Sequence, residues 1–290
     1  MKKYVTILSL CLITFLISQE RPKVAIVLSG GGSKGMAQIS TLQIIDSLNI
    51  PVDYIVGTSI GSITGALYSM GYSSDEILSE GFKTNWDIIY SNYKKREDLY
   101  FFQKDDYKKY PVTFNFSGIT PKIPLGITNG HASYMDINNK VAVYELFNDF
   151  DNFKIPFRCN SMDLISGQEI IFKGGSISKA LRASSSIPSV FNPVKDNSSL
   201  LIDGGVINNF PTDIAKNIGA DIIIGVNVSK PLRETKDINT VFDILRQTIS
   251  LNGIQKKIEN KYHADILIEP EDLTSGSSYD KKSLNETYNS

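Results

Sequence analysis

The stretch Val24-Ala25-Ile26-Val27-Leu28, followed at once by Ser29-Gly30-Gly31-Gly32-Ser33-Lys34-Gly35, constrains the fold more than any other part of the chain. Five consecutive apolar residues read as a strand covered on both faces, as happens where helices pack above and below a parallel sheet. The helix expected next carries Met36, Ile39, Leu42, Ile45 and Leu48 along one stripe. Asn49-Ile50-Pro51 ends it, Asp53 to Val56 makes a second strand, and residues 60–70 form a second helix closed by Gly71. A helical crossover of this kind joins parallel neighbours in one sheet. Further strands are expected at 157–162, 169–172, 200–202, 221–228 and 265–268, and one long helix at 241–258. The class is therefore α/β, and 290 residues at 41% hydrophobic content suffice for its core.

Glycines packed this tightly aim backbone amides at something negative, and Gly30-x-Gly32-x-x-Gly35 even satisfies the dinucleotide-binding spacing. A dinucleotide site wants an acidic residue at the end of the second strand to hold the ribose. That strand end carries Gly57-Thr58-Ser59, and Asp53 lies at its beginning. The phosphate-loop spacing G-x-x-x-x-G-K-[ST] is absent too, since Gly35 follows Lys34. What stands beside the glycine loop is Gly57-Thr58-Ser59-Ile60-Gly61, a G-x-S-x-G on a strand-to-helix turn. Such a turn lifts a serine hydroxyl above the sheet edge at a helix N-terminus, where negative charge is favoured. Both loops are β-to-α turns of adjacent strands, so they share a rim, and amides beside a nucleophilic serine make an oxyanion hole. The anion expected is a transient one, not a cofactor's phosphate.

Ser59 needs a proton acceptor, and the chain has two histidines. His263 precedes the strand at 265–268, at its entry end and away from the rim; His131 lies in an irregular middle segment. Asp203 is the better candidate, because it ends the apolar run Leu201-Ile202 and Gly204-Gly205 open the turn after it. Asp213 and Asp221 fit capping roles at a helix start and a strand start. An ordinary aspartate, with a pKa near ~4, is a weak base for a hydroxyl, so proton transfer must be coupled to attack and the oxyanion stabilised as it forms.

Three ordered motifs, Gly30 to Gly35, Gly57 to Gly61 and Asp203-Gly204-Gly205, resemble those of the patatin-like phospholipases. So do Ala180-Leu181-Arg182-Ala183-Ser184 with Ile187-Pro188, and Asn208-Asn209-Phe210-Pro211; the resemblance spans about residues 22–270 and is closest to bacterial exported members. It implies a three-layer sandwich with a mostly parallel sheet and a serine–aspartate dyad hydrolysing lipid acyl esters without metal or cofactor. Ser59 is then the nucleophile and Asp203 the base. Gly30, Gly31, Gly32, Ser33, Lys34 and Gly35 form the oxyanion loop, with Lys34 where the family places Arg or Lys. Gly57, Gly61, Gly204 and Gly205 shape the two turns. Residues 129–133 depart from the family pattern. Other readings of the same residues are a carboxylesterase or thioesterase on soluble acyl esters, and a lipid-binding module without turnover.

The rest of the chain bears on place and partner. Lys2 and Lys3 followed by an apolar run, then Gln19-Glu20-Arg21-Pro22, read as a signal peptide over residues 1–19; the run is short of the ~20 residues a bilayer span needs. Leu8-Ser9-Leu10-Cys11 looks like a lipoprotein signal, but apolar residues continue past it to Ile17. Export to the periplasm, outer membrane or medium is expected. Cys159 is then single in the mature chain, so no internal disulfide forms, and its apolar surroundings make it a core thiol. A net charge of −1 gives no field that recruits nucleic acid. Residues 91–131 read as an irregular lid or binding loop. Within 90–110, Tyr93, Tyr100, Phe101, Phe102 and Tyr107 alternate with Lys94, Lys95, Arg96, Lys104, Lys108 and Lys109, a composition suited to a lipid surface. Glu97, Asp98, Asp105 and Asp106 dilute that charge, and the alternative is a solvated loop packing its rings on the sheet. Residues 271–290 read as a polar tail.

Overall fold

β1 (Val24–Leu28) is buried at every residue, as its unbroken apolar run requires. Its alternate side chains feed two cores. Ile26 and Leu28 join one cluster with α1 (Met36–Ser47) and α2 (Ile60–Ser69), whereas Ala25 and Val27 pack with Phe210, Ile214 and Ala215 on the opposite face. The structure, a computed structural model, describes residues 21–91, 100–101, 115–117, 120–122, 125–229 and 231–270. The expected leader at 1–19, the tail at 271–290 and most of the aromatic and basic stretch at 90–110 lie outside those residues.

β2 (Tyr54–Gly57) pairs in parallel with β1, and β6 (Phe157–Asp163) pairs in parallel with β2. On the other side of β1 lie β11 (Ile222–Val226) and then β12 (Ile266–Ile268), both parallel. Three further strands are antiparallel: β7 (Glu169–Phe172) on β6, β10 (Ser199–Asp203) on β6, and β9 (Val194–Asp196) on β10. The sheet is thus mostly parallel with helices on both faces. The chain leaves β1 toward β2 on one side and returns by β11 on the other, so the glycine loop emerges where the strand order reverses, the usual place for a site.

The register around β6 carries the geometry that matters. β7 occupies residues 159–162 of β6, so β2 (paired at 157–159) and β10 (paired at 161–163) both lie along its opposite edge. One runs up that edge and the other down it. They meet head to head, with Gly57 opposite Cys159 and Asp203 opposite Ser161.

Several elements lack an expectation in the sequence reading. These include α3 (Ser74–Lys83), whose Ser73 and Glu76 form a reciprocal capping box, the short α4 (Trp86–Ser91), and α5 (His131–Val141). α6 (Ile177–Ser184) and α7 (Thr212–Asn217) complete the two faces; β3 (Asn115–Ser117) and β4 (Thr120–Lys122) form a separate antiparallel pair, and a small parallel pair joins β5 (Gly126–Thr128) to β8 (Ser189–Phe191). The expected single helix at 241–258 is instead two, α8 (Val241–Asn252) and α9 (Ile254–Lys261), broken at Gly253 where the backbone passes against the carbonyls of Val206 and Ile207.

Candidate active site

Ser59 sits at the tip of the β2–α2 turn with φ +54° and ψ −124°, a conformation that a side-chain-bearing residue adopts at a cost of about 1–3 kcal/mol. The turn is tight because α2 starts almost on the end of β1: a Cβ on Gly61 would lie 2.4 Å from Leu28 O, and one on Gly57 would lie 2.3 Å from Gly61 O. Both obstacles are backbone and cannot step aside.

The Ser59 hydroxyl donates to Asp203 Oδ2 at 2.6 Å, bridging the two strand ends that meet on β6. The other carboxylate oxygen accepts the Gly205 amide at 2.7 Å, which sets the rotamer of the acid. Gly204 lies against Asn160 O, so the turn after Asp203 hugs β6. Asp203 is buried, and burial pushes its carboxyl up to about 6, although the Ser59 hydroxyl and the Gly205 amide each pull it down. A carboxyl raised in this way is closer to the range that general-base chemistry needs than an ordinary aspartate. Asp203 therefore reaches Ser59 by a route the sequence did not indicate: its strand runs antiparallel to the one that ends before Ser59 and approaches from beyond the rim.

The end of α6 ties both backbones down. Ser184 Oγ accepts the Ser59 amide at 3.0 Å, and Ser186 O accepts the Asp203 amide at 3.0 Å. Arg182, buried and donating to Gly130 O at 3.1 Å, Asn192 O at 3.2 Å and Ser186 Oγ, braces this corner; desolvation lowers its guanidinium to about 10. The departing segment 129–133 thus starts α5 from Gly130, held by an arginine of the family-like motif.

Gly32 to Gly35 form one 3-10 turn, preceded by Gly31. The opening amides of such a turn have no intrahelical acceptor. Among the described residues, the N–H groups of Gly31, Gly32 and Ser33 meet no acceptor. Gly30 differs. Its amide donates to Asn209 O at 3.2 Å and its carbonyl accepts Asn209 Nδ2 at 3.2 Å, so its part in the loop is steric, with its α-carbon close to the Ser59 side chain. Gly35 packs on Ile60, and Lys34 is buried within the turn. A donor that sequence reading passed over is Ile60 N–H, the first amide of α2, which also meets no acceptor among the described residues. Its position directly after the serine of a G-x-S-x-G was the available signal.

Among the described residues, neither histidine bonds to Ser59 or Asp203. His131 is exposed at the start of α5, and His263 follows α9 ahead of β12. Asp221 accepts the Lys23 amide at 2.8 Å at a strand entry, while Asp213 takes part in a polar network with Asn208 and Lys256. Cys159 is wholly buried in the core, and desolvation holds its thiol well above the usual range. Among the described residues, no three His, Cys, Asp or Glu side chains gather as metal ligands, and no helix is long and apolar enough to cross a membrane.

A family model described as patatin-like phospholipase matches residues 26–216, the span that holds the glycine loop, the serine elbow and the Asp203 turn. The chain belongs to the patatin-like phospholipase family. Rat patatin-like phospholipase domain-containing protein 7 is 30% identical over 224 residues, 77% of this chain and 14% of the relative. A lysophospholipase of Aspergillus fumigatus is 30% identical over 208 residues, 71% of this chain and 12% of the relative. The chain thus spans about a seventh or less of the length of these curated relatives. The solved structure of VipD from Legionella pneumophila covers 79% of this chain, and this chain covers 52% of it, at 13% identity and a TM-score of 0.43.

Beside the patatin-like elbow opens an apolar cleft. Ile60, Ile63 and Leu67 line it from α2, Met36 and Ile39 from α1, and Ile77 from α3. Ser59 to Leu67 is eight residues of helix, so the cleft runs ~12 Å away from the hydroxyl. Ser33, whose buried hydroxyl has no partner among the described residues, also lines it.

Proposed function

We propose that this chain is a serine hydrolase of lipid acyl esters, of phospholipase A type, working through a Ser59–Asp203 dyad. The observation that carries the reading is the 2.6 Å hydrogen bond to a buried carboxylate from Ser59 Oγ, on a residue that lines an apolar cleft. Family membership and the lysophospholipase relatives support an ester-bond hydrolase. Ser59 Oγ attacks the ester carbonyl while its proton passes to Asp203 Oδ2. The carbonyl oxygen takes up the electron pair and is held by amides of Gly31 and Gly32, with Ile60 N–H on the other side. Collapse breaks the bond to the alcohol, which leaves with the proton from Asp203. Water then attacks the acyl-serine, giving its proton to Asp203, and the fatty acid departs as Ser59 regains a proton. The acyl chain lies along α2 in the cleft, shielded by Ile63 and Leu67.

A phospholipid or membrane surface is the partner, and neither metal nor cofactor takes part. The lysines at positions 2 and 3 and the apolar run after them support export, with residues 22–270 as the hydrolase domain.

The test is hydrolysis of micellar phospholipid against a water-soluble short-chain ester, with fluorophosphonate labelling of Ser59 and Ser59→Ala as control. Labelling and turnover that both vanish in a folded Ser59→Ala support the reading. Undiminished turnover sinks the nucleophile. Faster turnover of the soluble ester alone replaces phospholipid with a soluble acyl ester, and reaction with neither ester nor probe leaves a binding module.

A further inference from the structure

Residues past the end of the family match at 216 reach the site. Asn252, at the end of α8, donates from Nδ2 to Val206 O at 2.9 Å, in the turn that follows Asp203. On α9, buried Asn260 has its Nδ2 within 2.9 Å of Asn208 Oδ1 and 2.8 Å of Phe210 O, and its carbonyl accepts the Thr212 hydroxyl at 2.6 Å. Lys256 on the same helix pairs with Glu169 of β7 and, at 3.1 Å, with Asp213 of α7.

Those two carboxylates are joined by Asn208, which is fully buried: its Nδ2 donates to Glu169 Oε1 and Asp213 Oδ1, both at 2.9 Å. The carbonyl of Asn208 in turn accepts Asn160 Nδ2 at 2.9 Å and lies 3.1 Å from the hydroxyl of Thr58. Thr58 immediately precedes the nucleophile, and Asn160 is the residue against which Gly204 packs. The Asn208 amide also donates to Gly204 O at 2.8 Å, so the bonds lead from α9 to the Thr58 hydroxyl on one side of the Ser59–Asp203 contact and to the Gly204 backbone on the other. Among the described residues, Lys256 is the one cation paired with either carboxylate. Without it, two like charges joined by the Asn208 amide would be held only by neutral donors, Asn160 Nδ2 on Glu169 at 2.8 Å and Asn260 Nδ2 on Asp213 at 2.9 Å, and their repulsion in this partly buried pocket would loosen the network.

We infer that Lys256 is a positioning residue for the dyad. It acts through Glu169, Asp213 and Asn208 to fix Thr58 and the Gly204 turn, which makes α8 and α9 part of the working site. The inference rests on the hydrolase reading above. The same network explains why Asn208 is buried beyond reach of any substrate yet fully bonded.

The experiment uses the full chain with Lys256→Met, which keeps the aliphatic stem, and Lys256→Arg, which keeps the charge. Turnover of a water-soluble short-chain ester is measured per site titrated with fluorophosphonate. Misplacement by ~1 Å can cost ~100-fold, so Lys256→Met is expected to lower kcat at least ~10-fold with KM within ~2-fold, and Lys256→Arg to recover most of it. A kcat per titrated site equal to wild type in Lys256→Met would overturn the inference, even if yield or thermal stability fell. Equal loss in both variants would overturn it too, since charge would not be the cause. Should Lys256→Met not fold, Lys256→Gln removes the same charge and keeps a donor on the stem: a lower kcat per site upholds the inference and an unchanged one refutes it. A wild-type protein that neither labels nor turns over ester removes the hydrolase reading itself, before any variant is compared.

Discussion

Replacing Asp203 by asparagine should cost the protein its activity and make it more stable at neutral pH. Burial holds the carboxyl at about 6, whereas an unfolded aspartate titrates near ~4. Below pH ~4 the acid is protonated in both states and contributes nothing. Between ~4 and ~6 the folded protein binds the extra proton, so stability falls as pH rises, and above ~6 the full penalty is present. Two pH units at ~1.4 kcal/mol each make that penalty about 3 kcal/mol. Asparagine keeps the shape and can still accept the Gly205 amide. The expected result is that Asp203→Asn matches wild type near pH 4 and is more stable by about 3 kcal/mol at pH 8, with the difference growing through the interval between. Urea unfolding across that pH series measures it directly. Turnover should fall ~100-fold or more, because an amide cannot take the serine proton. The wild-type acid limb of kcat/KM should lie near pH 6. A variant less stable than wild type at pH 8, or a difference independent of pH, would refute the claim that a buried charge is being held at this site.

Three other outcomes follow from the same geometry. His131→Ala and His263→Ala should each leave kcat/KM within ~2-fold, and a loss matching that of Asp203→Asn would move the base to a histidine. Gly30→Ala would place a methyl 2.4 Å from Asn209 Oδ1 and 3.1 Å from Ser59 Cβ, so a loss of about 1–3 kcal/mol in stability and a larger fractional loss of kcat than of KM are expected, read by melting and steady-state kinetics. Phe101, 86% exposed, should matter at a lipid surface: Phe101→Ser is expected to lower turnover on anionic vesicles several-fold more than on a soluble ester, and equal effects would place the ring in the fold instead.

What could be read from the chain was local. The β1 run, the glycine turn and the G-x-S-x-G each announce themselves within a dozen residues, because strand burial and tight turns impose residue types at short spacing. Asp203 was found by its place at a strand end, but not the direction of that strand. Nothing in Leu200-Leu201-Ile202 says whether its partner on β6 runs with it or against it. Asn208, Asn209 and Ser184 gain their roles from partners more than a hundred residues away, such as Thr58, Gly30 and Ser59, and such bonds leave no periodicity. α3 is a different case. Its Ser73-x-x-Glu76 box was legible and marks the helix start. The break at Gly253 was not, because an isolated glycine in an amphipathic run reads as tolerated until the carbonyls it passes are known.

The head-to-head meeting of β2 and β10 on one edge of β6 makes turnover a gauge of assembly. Along that edge the side chains alternate, so docking β10 one residue out of step would turn Asp203 to the far side of the sheet. Such a molecule would be compact, would carry every motif intact and would be silent. A serine-reactive probe therefore counts correctly knitted sheets rather than soluble protein, and the ratio of labelled to total chain after refolding would report how often two strands from opposite ends of the domain find the same seam.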